Sequence, residues 1–294
     1  MEKLKYRVAA IDLDGTLLTT KKQITEKNKK AINAYMESGG TVIVSTGRSF
    51  TGAKAFIGEL KPNGPVITNN GAILVDYTQE KILFEQGLSR DDAEKILRLG
   101  EDKDVDIIIW CRFKLYANRI DERTLDYGRR FGAIQPVEAG TDYAGVLSED
   151  RFDRKYGYLL DKGITKILWY TDEKRSKELG KIITDGMFDS VTVCNSEPMF
   201  LEFFNKKVSK AIVLEKVCEE LGFTRDDIIA MGDGENDISM LRFAGLGVAM
   251  INANDVTKLI ADRVSESDND NDGVAEILDS YAYLHETGAK AVER

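Results

Sequence analysis

Short apolar segments alternate with helix-length segments at the start of this chain, and each apolar segment ends at small polar residues. Residues 6–11, 41–44 and 66–68 are apolar runs of strand length, and the segments between them are patterned as helices. This order of elements is typical of right-handed crossovers between parallel strands. The N-terminal part therefore predicts a doubly wound, Rossmann-like α/β sheet.

The same pattern returns towards the C-terminal end. A helix is predicted over residues 210–221, strands are predicted at 226–231 and 246–250, and a last short strand starts at Val264. We expect these strands to extend the same parallel sheet, because doubly wound sheets are assembled from such repeating units.

The middle of the chain is patterned differently. Paired short strands alternate with helices there, which is typical of an α+β module on a mostly antiparallel sheet. We expect an inserted domain at residues 84–204 within a core made of residues 1–83 and 205–294. Residues 136–162 carry too little pattern for their elements to be predicted.

Composition limits the partners that this chain can have. The 294 residues carry a formal net charge of -9 without a compensating basic stripe, which argues against a nucleic-acid binder. No apolar run approaches the roughly 18 residues that span a bilayer, and the first strand follows Met1 too closely for a signal peptide. The three cysteines lack metal-type spacing and are expected to be reduced core thiols. We therefore expect a cytoplasmic protein with no membrane partner.

Residues that can perform chemistry follow four of the predicted strands. They are Asp12 and Asp14, Ser45 and Thr46, Asn70, and Asp233 with Asn236 and Asp237. The carboxyl ends of parallel strands lie along one edge of a sheet, so these side chains can share one crevice. Aspartates without a histidine or cysteine nearby favour a hard cation with oxygen ligands, and Mg²⁺ is the expected one.

Lys210 and the Thr46 hydroxyl add hydrogen-bond donors suited to an anion. A phosphoryl group would satisfy these donors and the cation together. Lys210 also lies in the first turn of a predicted helix, where the helix dipole disfavours a cation. A binding or catalytic role therefore explains this lysine better than a surface position does.

Four motifs in this order resemble the phosphatases of the haloacid dehalogenase superfamily, of the Cof type. Residues 12–16 (Asp-Leu-Asp-Gly-Thr) match the first motif, and 45–48 (Ser-Thr-Gly-Arg) match the second. Residues 208–210 (Val-Ser-Lys) match the third, and 232–237 (Gly-Asp-Gly-Glu-Asn-Asp) match the fourth. The likeness covers the whole chain; Ala211 departs from it, because a glycine usually follows the motif lysine. The resemblance implies a Rossmann-like core with an α+β cap inserted between the second and third motifs.

The resemblance also implies roles for the aspartates. Asp12 would be the nucleophile that accepts the phosphoryl group, and Asp14 would act as general acid and then general base. The Mg²⁺ ligands would be the carboxylates of Asp12 and Asp233 and the backbone carbonyl of Asp14. Asp237 would orient Lys210 or the metal-bound waters.

The residues expected to bind the substrate come from the same resemblance. The residues expected to hold the phosphoryl group are Thr46, Gly47, Lys210 and Asn236, and Asn70 is expected to bind the substrate as well. The expected catalytic residues are Asp12, Asp14 and again Lys210. The expected function is a Mg²⁺-dependent phosphatase acting on small phosphorylated metabolites, sugar phosphates first. A phosphomutase and a non-catalytic regulator that binds a phosphorylated ligand remain open, whereas Asp14 argues against dehalogenase chemistry.

Three further expectations concern residues outside these motif roles. Arg48 is expected to pair with an acidic residue of the core. Arg112, Lys114 and Tyr116, on a predicted hairpin of the cap, are candidates for selecting the substrate. Residues 268–279 have the spacing of a calcium loop, but the preceding segment is patterned as a strand and not as a helix. A polar loop near the active-site edge is therefore the preferred interpretation.

Overall fold

The computed structural model describes residues 3–132, 134–137, 151–183, 187–195 and 197–284. Within these residues the chain forms one eight-stranded sheet and one six-stranded sheet. The strands are β1 (Val8–Ile11), β2 (Thr41–Ser45), β3 (Val66–Thr68), β4 (Ile73–Asp76), β5 (Lys81–Glu85), β6 (Asp106–Cys111), β7 (Lys114–Ala117), β8 (Ile134–Pro136), β9 (Lys166–Tyr170), β10 (Val191–Cys194), β11 (Phe200–Asn205), β12 (Ile228–Gly232), β13 (Leu246–Ala249) and β14 (Arg263–Val264). The α-helices are α1 (Glu26–Glu37), α2 (Phe50–Leu60), α3 (Arg90–Asp102), α4 (Glu122–Phe131), α5 (Arg151–Lys162), α6 (Glu173–Ile182), α7 (Lys210–Glu220), α8 (Ile238–Phe243), α9 (Asp255–Ile260) and α10 (Gly273–Tyr281).

The eight-stranded sheet has the order β14-β13-β12-β1-β2-β3-β4-β5. Its strands from β14 to β3 are parallel, which confirms the predicted doubly wound core. β4 and β5 add an antiparallel edge that the sequence pattern did not predict. β5 has mostly half-buried side chains, so it lacks the continuous apolar run by which the central strands were recognised.

Helices cover both faces of this sheet. Side chains alternate along β1, so Val8 and Ala10 pack in the apolar cluster that includes α7 and α8. Ala9 and Ile11 face the opposite way and pack in the cluster that includes α1, α2 and α10. A central strand buried on both faces leaves only its end free, which is where Asp12 begins the loop.

The six-stranded sheet lies in the segment between β5 and α7, and its order is β10-β11-β9-β6-β7-β8. Its strands pair antiparallel except for β7 and β8, which are parallel. This confirms the predicted α+β insert on a mostly antiparallel sheet, and we refer to it as the cap. α5 falls in the stretch that the sequence pattern left open, and residues 138–150 of that stretch lie outside the described residues.

The expected domain junctions lie inside strands and need correction. β5 runs to Glu85, which pairs with Ile73 of the core sheet, so the expected junction between residues 83 and 84 cuts this strand. β11 runs to Asn205, which pairs with Val191 of the cap sheet, so the junction between 204 and 205 cuts that strand as well. We therefore propose junctions after Glu85 and after Asn205.

Several helices begin where the sequence supplies a side-chain cap. The hydroxyls of Thr25 and Ser89 accept hydrogen bonds from the backbone amides at the starts of α1 and α3. Ser209 caps α7 in the same way and thereby fixes the first residue of that helix, Lys210. In the described part of the chain, none of the helices combines the length and the apolar character that crossing a membrane requires.

Candidate active site

The loop after β1 brings two aspartates to the carboxyl edge of the core sheet. Asp12 is 4% exposed, and its backbone amide donates to Met231 O on β12 at 3.1 Å, so it continues the strand pairing. Gly15 has a φ of +77°, and a Cβ at this position would overlap the Asp233 carboxylate. Thr16 donates its hydroxyl proton to Asp233 Oδ1 at 3.1 Å. A glycine in this turn therefore lets the first and fourth motifs approach each other.

Lys210 is completely buried at the base of this site. Its Nζ lies 2.6 Å from Asp12 Oδ1 and 2.5 Å from Asp237 Oδ1. Asp237 Oδ2 accepts hydrogen bonds from the backbone amides of Asp233 and Gly234, both at 3.0 Å. Asp237 thus connects the lysine to the loop after β12.

Three carboxylates surround one point next to Lys210. Asp12, Asp233 and Asp237 each offer an oxygen, and these oxygens lie within 4.8 Å of one another. Burial, and next to it the charge of Asp237, raises the pKa of Asp12 well above its ordinary value and that of Asp233 to about 6. For Lys210, the charges of Asp12 and Asp237 overcome the effect of burial, so that its pKa is raised. These carboxylates repel one another when ionised, and they offer only oxygen atoms as ligands. Both properties suit the binding of a hard cation at this point.

The side chain of Asp14 is hydrogen-bonded to residues outside this cluster of carboxylates. Arg48 donates to both of its carboxylate oxygens, from Nε at 2.5 Å and from Nη2 at 2.7 Å, and Lys22 Nζ lies 2.7 Å from Oδ1. Burial acts to raise the pKa of Asp14, but the hydrogen bonds and charges of Arg48 and Lys22 outweigh it and lower the pKa. Arg48 therefore pairs with an acid as expected, but that acid is the candidate general acid–base and not a core residue.

The residues expected to hold a phosphoryl group gather on the other side of the crevice. Thr46 is buried, and its hydroxyl accepts from the Arg48 amide at 3.1 Å. Asn70 has a left-handed backbone with φ of 58°, and its Oδ1 accepts from Asn236 Nδ2 at 2.9 Å. Gly47 lies beside this amide pair, since a Cβ at residue 47 would lie 2.8 Å from Asn70 Oδ1. The second and fourth motifs thus meet directly.

A cavity of about 820 Å³ lies between this edge of the core and one face of the cap. Its core wall includes Asp12, Asp14, Thr46, Asn70, Asp233 and Asn236. Its cap wall includes Trp110, Tyr127, Arg130, Lys166, Glu197, Phe200, Glu202 and Phe204. All the predicted site residues therefore lie on or directly behind one wall of a single cavity.

The structure does not support the expectation that the β6–β7 hairpin selects the substrate through Arg112, Lys114 and Tyr116. Tyr116 pairs with Ile109, and both belong to the apolar cluster on the face of the cap sheet away from the crevice. At the tip of this hairpin, Phe113 packs against Phe50 of α2, with ring centroids 4.8 Å apart. The tip of the hairpin thus docks the cap on the core, and Arg112, Lys114 and Tyr116 are not among the residues that line the cavity.

Sequence reasoning missed Lys22 and the cap residues that do line the cavity. Lys22 lies on an irregular segment and shows no signal before the structure is known. Lys166 and Glu202 did carry one, because Lys166 begins an otherwise apolar strand and Glu202 lies between apolar residues of another. Charges in such positions are rarely buried without a partner.

Residues 268–272, which have calcium-loop spacing, hold the segment that follows Asp14. Asn269 Nδ2 donates to Leu18 O at 2.8 Å, and the Thr20 amide donates to Asp270 Oδ1 at 2.8 Å. Within the loop, Asp268 Oδ1 accepts from the Asp270 amide at 3.0 Å. The strand β14 precedes this loop, in agreement with the expectation of a polar loop near the active-site edge.

Comparisons with known proteins agree with this geometry. The sequence model of the haloacid dehalogenase-like hydrolase family matches residues 9–278 of this chain. The chain is 28% identical over 277 residues to 5-amino-6-(5-phospho-D-ribitylamino)uracil phosphatase YcsE of Bacillus subtilis, with 94% of this chain and 96% of that protein covered. It is 30% identical over 284 residues to phosphatase YwpJ of Bacillus subtilis, with 92% and 98% covered. The crystal structure of TM0651 from Thermotoga maritima is similar with a TM-score of 0.82 at 28% identity, covering 95% of this chain and 98% of that one.

The family match spans nearly all of the parallel sheet and the cap, and the four motifs meet at one crevice. Similarity to named phosphatases over almost the whole chain confirms the resemblance that the motifs indicated. The chain belongs to the haloacid dehalogenase-like hydrolases, and within them it is a phosphatase, a phosphoric monoester hydrolase.

Proposed function

We propose that this phosphatase hydrolyses small phosphorylated metabolites, sugar phosphates first, in a Mg²⁺-dependent reaction through an aspartyl-phosphate. The observation that carries the proposal is the buried Asp12 carboxylate, held at 2.6 Å by Lys210 at the base of the crevice. A buried nucleophile with one oxygen fixed by a cation presents its other oxygen to a substrate in a defined direction.

Charge compensation is the main requirement of the first step, since an anionic carboxylate must approach an anionic phosphoryl group. Lys210 would supply one positive charge, and Thr46, Gly47 and Asn236 would hold the phosphoryl oxygens. Mg²⁺, when bound by Asp12 and Asp233 with the Asp14 carbonyl, would supply the remaining compensation. The acidic cluster supports a divalent cation at this position, because its carboxylates repel one another without it.

Asp14 is proposed to move protons in both steps. It would give a proton to the leaving oxygen and then take one from the water that hydrolyses the aspartyl-phosphate. The two hydrogen bonds from Arg48 fix the plane of the Asp14 carboxylate, so that its direction is set before the substrate binds. Arg48 and Lys22 favour the ionised form, which is the form required of the base. Asp14 must enter the first step protonated, and the proton that it gives to the leaving oxygen is restored by the proton that it takes from water in the second step.

The sugar phosphate class is supported by size and by similarity. A cavity of about 820 Å³ is large enough for a phosphorylated sugar or polyol. The name of the Bacillus subtilis relative YcsE describes that protein's substrate as an aminouracil that carries a phosphorylated D-ribitylamino group. We propose the cytoplasm as the place of action, which the free thiols of Cys111, Cys194 and Cys218 favour.

The test is phosphate release from p-nitrophenyl phosphate and from a panel of sugar phosphates, in Mg²⁺ and in EDTA. We expect turnover that requires the metal and that Asp12→Asn abolishes. Asp226→Asn, which changes an exposed aspartate near β12, serves as the matched control and should retain full activity.

Two other outcomes would change the assignment. An isomeric ester in place of free phosphate would identify a phosphomutase. Binding of Mg²⁺ and of phosphorylated ligands without turnover of any ester would identify a regulator and would refute the proposed hydrolysis.

A further inference from the structure

The cap wall of the crevice carries a charged pair inside its sheet. Trp110, Lys166 and Phe204 lie side by side on β6, β9 and β11, because Lys166 pairs with Trp110 on one side and with Phe204 on the other. Glu202 lies two residues before Phe204 on β11 and so shares its face. All four residues line the cavity opposite the phosphatase motifs.

Lys166 and Glu202 form an almost completely buried ion pair. Lys166 Nζ lies 3.0 Å from Glu202 Oε1 and 4.2 Å from the centre of the Trp110 ring. The lysine is 8% exposed and the glutamate 6%. Burying two charges costs solvation energy that their attraction only partly returns, and apolar residues of similar volume often serve stability better. A function in the cavity explains this pair better than a contribution to stability does.

The second cation of the cap wall also has a carboxylate partner, but that pair is partly exposed. Arg130, at the end of α4, donates from Nη1 to Glu197 Oε2 at 3.2 Å, and a further contact joins the same two groups. Among the described residues that line the cavity from the cap, Arg130 and Lys166 are the cations, and each has a carboxylate partner. This wall is therefore polar and aromatic, but its charges cancel.

We infer that the Lys166–Glu202 pair makes the enzyme select phosphate esters whose leaving group is uncharged and hydroxylated. This inference rests on the proposed phosphatase function and names the leaving group. A hydroxyl can donate to the carboxylate of Glu202 and accept from the ammonium of Lys166. A second anionic group at the same place would face Glu202 and would compete with it for the ammonium, so such esters are poor substrates.

Two substrates that differ in one group test this selection. Sorbitol 6-phosphate carries a hydroxymethyl group where 6-phosphogluconate carries a carboxylate, and both have a single phosphate. For the wild type we expect kcat/KM to be at least about tenfold higher for sorbitol 6-phosphate, within the range of couplings between close charges. In Glu202→Gln the ammonium of Lys166 is no longer neutralised, and this ratio should fall by about tenfold.

A matched control is the pair of Lys155 and Glu101, whose atoms lie 2.7 Å apart in the cap but do not line the cavity. Glu101→Gln also leaves a cap lysine without its carboxylate, and we expect the substrate ratio to stay at the wild-type value. An equal fall in Glu101→Gln and Glu202→Gln would overturn the inference, because a general loosening of the cap would then explain both.

The double variant Lys166→Met/Glu202→Gln decides the question if Glu202→Gln does not fold, since it removes both charges together. We expect its ratio to fall towards one, because neither charge is left to discriminate, while KM for sorbitol 6-phosphate rises about tenfold. An unchanged KM would show that the pair does not touch the leaving group.

Hydrolysis of acetyl phosphate by the wild type separates the inference about the leaving group from the proposed phosphatase function. If acetyl phosphate is hydrolysed but the ratio is near one, only the inference fails, whereas no turnover of acetyl phosphate or of any phosphate ester in Mg²⁺ refutes the proposed function.

Discussion

Replacing Asp237 by asparagine tests whether this residue holds the site together. Asp237 accepts three hydrogen bonds, one from Lys210 at 2.5 Å and two from backbone amides at 3.0 Å. An asparagine has only one carbonyl oxygen, so in either orientation its NH₂ group faces a donor. Each hydrogen bond to a charged group contributes about 1.5–3 kcal/mol, and breaking a buried ion pair costs about 3–5 kcal/mol. We expect Asp237→Asn to lower the free energy of unfolding by about 3–5 kcal/mol in Mg²⁺.

An opposing effect makes the metal part of this experiment. Asp237 raises the pKa of Asp12 and of Asp233 by repulsion, so its neutralisation relieves repulsion in the protein without metal. The loss of stability should therefore be smaller in EDTA than in Mg²⁺. We also expect kcat to fall about 100-fold, because Lys210 loses the carboxylate that fixes its position.

Asp227 offers a matched control for the urea unfolding measurements. It also accepts from the first backbone amide of a short 3-10 turn, Thr224 N at 2.9 Å, but its side chain is 20% exposed. Asp227→Asn should cost about 1 kcal/mol, as the loss of a capping group usually does. If Asp237→Asn costs no more than this control in Mg²⁺, the reasoning about the buried pair is wrong.

Three further predictions concern the turn at Gly15, the proposed general acid–base Asp14 and the surface. Gly15→Ala should lower kcat about 100-fold, because a side chain at φ of +77° would displace Asp233. Gly39→Ala is the control, since Gly39 also has a positive φ but has open space around it. It shows the effect of backbone strain without the displacement of Asp233. Arg48→Lys should lower kcat about 10- to 100-fold with a smaller effect on KM, since a lysine cannot bind both oxygens of Asp14; Arg7→Lys is the control, and equal losses would contradict the role of Arg48. The hydrogen bond from Arg7 lowers the pKa of Asp227. The ionised carboxylate therefore stabilises the fold at every pH above its unfolded pKa of about 3.9. This stabilisation is lost as the pH falls through the lower pKa of the folded protein. The difference in urea stability between wild type and Asp227→Asn should therefore vanish in strong acid, and a difference that persists there would refute the assignment.

The sequence was sufficient for the parts of the fold and site that depend on strand order alone. Asp12, Asp233 and Asn70 follow apolar strands, and parallel pairing brings strand ends together whatever the details of packing. The contact between Arg48 and Asp14 was not predictable, because it depends on the reach and direction of a long side chain. The contact between Lys166 and Glu202 was also not predictable. It depends on the register of β9 against β11, and no local sequence pattern gives that register.

The antiparallel edge of the core shows a different limit. β5 is a half-exposed strand at the end of the sheet, and an edge strand needs no continuous apolar run. For this reason the expected junction with the cap fell inside β5. The hairpin of β6 and β7 was predicted correctly, but its tip docks on α2, and only the three-dimensional structure shows which face of the hairpin meets the crevice.

The place of β1 in the middle of the core sheet has a consequence for the synthesis of the protein. Val8 pairs with Thr41 on one side and with Ile228 on the other, so one edge of β1 must wait for a strand made much later. At about 5–20 residues per second, the interval between them lasts roughly 10–40 s. The cap, which is continuous in sequence, is complete before β12 emerges. Until β12 is made, the edge of β1 that leads to Asp12 lacks its native partner, and an unpaired apolar edge of this kind can pair with another chain.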